Sequence, residues 1–104
     1  MKHITTIVAM LLLLTTSVSA AKVKTGIEVL REDGFKILEG KRVGLTTNPT
    51  GVDSQLKSTI DILWEAENVN LVALYGPEHG VRGNVHAGDH VDNEVDPKTG
   101  LKMY

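Results

Sequence analysis

Cysteine is absent from the 104 residues, which excludes disulfides, thiolate metal sites and a lipidated cysteine behind an export signal. Aromatic residues make up only 4%, so no sugar-stacking platform is visible. Charge of one sign is missing too: 11 Lys and Arg stand against 13 Asp and Glu, a net −2. That balance offers no basic surface to nucleic acid or to an anionic membrane. Nor does any apolar run reach the roughly 20 residues that span a bilayer.

What is present first is a leader. Lys2 and His3 form a short basic start, and residues 4–14 are apolar apart from Thr5 and Thr6. Val18-Ser19-Ala20 then supplies the small residues that signal peptidase requires. Residues 1–20 are expected to be a cleavable signal peptide, Ala20 being the last residue removed. The alternative, a membrane anchor, would need a longer apolar stretch. The product is therefore expected to be exported, to the periplasm or outside the cell, with no membrane attachment after cleavage. Residues 21–104 suffice for one small domain at most.

Thr25-Gly26-Ile27-Glu28 reads as a helix start, in which Thr25 accepts from a backbone N–H and Glu28 reaches back. Gly34 is the expected stop, and Phe35, Ile37 and Leu38 suggest a further turn packed on the core. Residues 42–47 are β-rich and end at the turn signal Asn48-Pro49-Thr50-Gly51. Asp53 or Ser58 can cap a second helix, whose Ile60, Leu63 and Trp64 lie at helical spacing. That spacing predicts Trp64 in the core and Asp61 on another face. Residues 71–75 form a continuous apolar run, as in a strand covered on both sides. The order helix, strand, helix, strand ends in a βαβ unit, with parallel strands and a right-handed crossover. Residues 76–104 are polar and glycine-rich, too long for an ordinary connection. At residues 101–104 another apolar segment begins, so the chain reads as the N-terminal portion of a longer protein.

Ligands of open parallel sheets bind outside the carboxyl ends of the strands. The first such end delivers residues 46–51. The second delivers Gly76-Pro77-Glu78-His79-Gly80-Val81-Arg82-Gly83, which gathers a carboxylate, an imidazole and a guanidinium within five residues. Each has a plainer reading. Glu78 can be a solvated loop carboxylate, His79 can bond the loop backbone, Arg82 can brace the loop, and Asn48 can bond its own turn. The glycines follow neither the P-loop nor the dinucleotide pattern, and no nucleophile elbow occurs. His79, His86 and His90 with Glu78, Asp89 and Asp92 could in principle ligate a metal. Gly88 and the loop composition argue against the helix that His86 and His90 would need, and no metal or cofactor is expected.

Four stretches together resemble a known family: residues 41–52, Ser58-Thr59-Ile60-Asp61, residues 76–83 and Val95-Asp96-Pro97-Lys98-Thr99-Gly100-Leu101. They look like the secreted exo-β-N-acetylmuramidases, a family long catalogued as a domain of unknown function. The Asn-Pro-Thr-Gly and Gly-Pro-Glu-His-Gly blocks occur in the family's order, and the likeness runs from about Lys24 onward. It implies an α/β, Rossmann-like parallel-sheet domain, here incomplete, with a C-terminal domain to follow and a site in the cleft between them. It also implies release of N-acetylmuramic acid from non-reducing ends of peptidoglycan fragments. Glu78 inherits the family's catalytic role, with Asn48, His79 and Arg82 as substrate-binding candidates. Glycoside hydrolysis needs an acid to protonate the leaving oxygen and usually a second carboxylate. Asp89, Asp92 and Glu94 are weak candidates for the second, and the substrate's own amide can replace it. Two rival readings are a non-catalytic periplasmic carbohydrate-binding fragment and a metal-dependent hydrolase. Oligomeric state leaves no mark on the sequence.

Overall fold

A computed structural model describes residues 1, 3, 21–77, 79–83 and 94–104. The rest of the leader, Glu78 and the candidates His86, Asp89, His90 and Asp92 lie outside the described residues.

Helix α1 runs Gly26–Glu32. Glu28 reaches back to accept from the Thr25 backbone N–H at 2.7 Å, and the Thr25 hydroxyl donates to the same oxygen at 2.9 Å. Gly34, at φ 68°, ends the helix. Its N–H bonds the Arg31 carbonyl and the Phe35 N–H bonds that of Leu30, the paired closure that satisfies the last carbonyls of a helix. A 3-10 turn, Lys36–Leu38, follows. Phe35 is buried there and Leu38 packs against the core, while Ile37 is exposed.

Strand β1 (Arg42–Thr46), helix α2 (Thr59–Glu65) and strand β2 (Asn70–Tyr75) complete the regular elements. Ser58 caps α2, its hydroxyl accepting from the Ile60 N–H at 3.2 Å. Asp53 instead closes the preceding loop, accepting from the N–H groups of Gln55 and Lys57 at 2.9 Å each.

The two strands are parallel, Val43 beside Leu71 and Thr46 beside Tyr75, with an irregularity between Val43 and Gly44. On the far edge of β2, Met103 forms a parallel bridge with Leu74. The Gly76 N–H bonds the Tyr104 carbonyl at 3.1 Å. The apolar segment expected at residues 101–104 thus pairs as a third strand would. The fold is an incomplete α/β parallel-sheet domain.

The core is Phe35, Ile60, Ile62, Leu63, Leu71, Leu74, Val81 and Met103. Truncating a side chain as buried as Leu74 (0% exposed) costs about 2–5 kcal/mol in such a setting. Two expectations fail here. Trp64 is 45% exposed while Asp61 is buried. The first turn of α2 is covered all round, because ion pairs take in Asp61, whereas Trp64 lies in the last turn. Strand β2 is also less enclosed than its apolar run suggests, for Tyr75 is half-exposed. Its ring lies over Gly44, where a β-carbon would meet Tyr75 Cε2 at 3.0 Å. On its other side it stacks with Tyr104, centroids 5.3 Å apart.

Candidate active site

The loops that leave β1 and β2 fold onto each other. Residues 48–51 form a tight turn: the Asn48 carbonyl accepts from the Gly51 N–H at 3.0 Å. Asn48 Oδ1 accepts from the Thr50 N–H at 3.1 Å and from its hydroxyl at 2.8 Å. This is the self-bonding expected of Asn in a turn. It also fixes the amide, because the oxygen must face the Thr50 N–H. Nδ2, with two donor hydrogens, has no partner among the described residues.

The second loop turns back on itself. A β-carbon on Gly76 would lie 2.9 Å from the Val81 nitrogen and 3.0 Å from the Gly80 carbonyl carbon, so only glycine permits this approach. Val81 is buried in the core and anchors the returning limb. Between these points stand Pro77 and His79. Asn48, Pro49, Thr50, Pro77 and His79 together line a cavity of about 440 Å³. The structure thus brings Asn48 and His79, two of the four sequence candidates, to one opening at the carboxyl end of the sheet. His79 is exposed there. Glu78 belongs to the same loop by sequence.

Arg82 is held differently. Its Nε donates to Asp96 Oδ1, and Nη2 donates to Asp96 Oδ2 at 3.0 Å and to Asp61 Oδ1 at 2.9 Å. Lys98 Nζ completes the cluster on Asp61 Oδ2 at 2.6 Å. Arg82 therefore has the bracing arrangement weighed for it from sequence, and Nη1 is its one nitrogen without a protein partner among the described residues. Asp96 is fully buried. Arg82 first, and then the Thr99 hydroxyl and N–H, hold its carboxyl at about 2, against the opposing effect of burial. The Asp61 carboxyl is also lowered: burial raises it, but hydrogen bonds from Lys98 and Arg82 outweigh that. The Arg82 guanidinium is raised by Asp96 above all.

Asp61 and Asp96 were missed as site-supporting residues. The signal available was that both fall in blocks shared with the family, Ser58-Thr59-Ile60-Asp61 and residues 95–101. Glu94, weighed as a second carboxylate, is exposed, and its carbonyl accepts from the Met103 N–H at 2.7 Å. Among the described residues no group of three His, Asp or Glu side chains is arranged to hold a metal.

Parallel strands with two touching loops at their carboxyl ends define an α/β protein with an opening at the sheet's rim, where ligands of such sheets bind. Residues 43–104 match the family described as exo-beta-N-acetylmuramidase NamZ, N-terminal, and the chain belongs to that family. It is 55% identical over 83 residues to the peptidoglycan beta-N-acetylmuramidase NamZ of Bacillus subtilis (strain 168), covering 80% of this chain. A crystal structure of a DUF1343 family protein from Bacteroides fragilis matches with a TM-score of 0.69 and 72% identity, over 78% of this chain. The chain spans about a fifth of each, 20% of the Bacillus protein and 19% of the Bacteroides chain.

Proposed function

We propose that the protein to which these residues belong is an exo-acting glycoside hydrolase that releases N-acetylmuramic acid from non-reducing ends of peptidoglycan fragments. The observation that carries this reading is the family match over residues 43–104, which contains both loops of the cavity. The 55% identity to a peptidoglycan β-N-acetylmuramidase supports the same substrate class.

Glu78 is the general acid, protonating the leaving glycosidic oxygen. Asn48 supplies its amide donors to the sugar, and His79, which lines the same cavity, a ring nitrogen. Nη1 of Arg82 is the donor left for the lactyl carboxylate that distinguishes muramic acid from glucosamine. The second catalytic group is Glu94, the substrate's own amide or a carboxylate outside the described residues. No cofactor enters this scheme. Export follows from the leader, and mass spectrometry of the exported protein should find Ala21 at the N-terminus.

The decisive experiment is Glu78→Gln in the full-length protein, assayed on an N-acetylmuramic acid glycoside with a poor leaving group. Turnover should fall by about two to four orders of magnitude, with product binding largely kept. Near-normal turnover would remove Glu78 from the role. Loss of wild-type activity on chelation would favour the metal-dependent alternative instead.

A further inference from the structure

The block at residues 95–101 is shared with the family as clearly as the two loops, yet none of its residues is among those lining the cavity. Its role lies one step back. Asp96, fully buried, accepts from four donors: Arg82 Nε, Arg82 Nη2 at 3.0 Å, the Thr99 N–H at 3.0 Å and the Thr99 hydroxyl at 2.7 Å. Both carboxylate oxygens are engaged, Oδ1 by one donor and Oδ2 by three.

Two-point arginine pairing adds geometric definition as well as energy. Burying an ion pair, by contrast, adds little net stability, because desolvation offsets the attraction. The arrangement is therefore better explained by orientation than by stability. It grips the head of Arg82 while Val81 holds the backbone in the core, and both belong to the loop of residues 76–83.

Charge gives the same residue a second effect. Arg82 is faced by Asp61 from α2 and by Asp96 from the 95–101 segment, and Lys98 of that segment pairs with Asp61. His79 is the other basic group of the loop. Two cations and two carboxylates leave the cluster neutral. An unmatched guanidinium four residues from Glu78 would favour that carboxyl's ionised form and spoil a general acid.

We infer that Asp96 is a positioning residue of the reaction: by clamping Arg82 it fixes the course of residues 76–83 and cancels a charge on the loop that carries the general acid. The inference rests on the assignment of Glu78 above.

The test is Asp96→Asn in the full-length protein, read by kcat and KM against pH and by hydrogen exchange of amides in residues 76–83. Exchange in the loop should quicken, and kcat should fall about 10- to 100-fold from misplacement with KM changing far less. The alkaline limb of the pH profile should move down by about 0.5–1 unit, since an uncompensated cation lowers a neighbouring carboxyl. Asp96→Asn combined with Arg82→Met removes both charges, so the limb should return toward its original position while kcat stays low. A folded Asp96→Asn protein with unchanged exchange and an unchanged limb overturns the inference. If Asp96→Asn does not fold, Asp61→Asn removes a carboxylate from the same cluster at a less buried position and must shift the limb the same way. An unmoved limb there also overturns it. Exchange needs no substrate, so a wild type inactive on muramic acid glycosides would count against the proposed reaction while the clamp is still decided.

Discussion

Gly83 lies against Pro49. A β-carbon on Gly83 would stand 2.8 Å from Pro49 Cγ, at a backbone φ of +77°. The contact joins the loop after β2 to the turn after β1, two segments more than thirty residues apart that share one opening.

Gly83→Ala should therefore strain the backbone and push the loops apart. The left-handed conformation alone costs an L-residue about 1–2 kcal/mol. In the full-length protein, a lowered melting temperature together with lower turnover is expected. Unchanged turnover would mean that the loop contact has no bearing on the site.

Asn48 separates a turn-forming oxygen from an amide nitrogen that has no partner among the described residues. Asn48→Asp keeps the acceptor for Thr50 and removes the donors. Melting temperature should stay close to wild type, while KM rises about three- to tenfold, the worth of one ordinary hydrogen bond. Asn48→Ala should affect both. If Asp leaves KM untouched, Asn48 serves the turn alone.

Acid should weaken the fold in a defined window. Asp96 is held at about 2 instead of 3.8, chiefly by Arg82. Glu28 is held at about 2 instead of 4.5, chiefly by the Ser54 hydroxyl and then by Thr25. Both folded values are depressed, so between them and the unfolded values the unfolded chain binds more protons and stability rises with pH. Their contribution is complete above about pH 4–5 and is lost as pH falls toward about 2. Urea unfolding of the full-length protein should show a lower midpoint at pH 3 than at pH 5. Asp96→Asn should narrow that difference while lowering the midpoint at pH 5. An equal drop in both proteins would contradict the Asp96 contribution.

Much of the local architecture was legible without coordinates. Glu28 reaches back over the start of α1, Gly34 closes it, Ser58 caps α2 and Asn48 bonds its own turn, because each depends on neighbours a few residues away. The β-rich stretch at residues 42–47 and the apolar run at residues 71–75 announced β1 and β2, and residues 101–104 announced the pairing at Met103. With the rule that parallel sheets bind ligands at their carboxyl ends, this was enough to single out residues 46–51 and 76–83.

Tertiary structure decided the rest, and for one physical reason. Periodicity tells which side chains share a helix face, but not what stands opposite that face. Helical spacing thus put Trp64 inside and Asp61 outside, and the structure reverses both. Asp61 is drawn in by Arg82 and Lys98, partners 21 and 37 residues further along the chain. The same holds for Arg82, which by sequence alone could receive a sugar carboxylate or brace a loop. Asp96, 14 residues away, becomes its neighbour only when the segment bearing Met103 pairs with β2. Local pattern set the elements and the loops, while long-range packing set which charges meet.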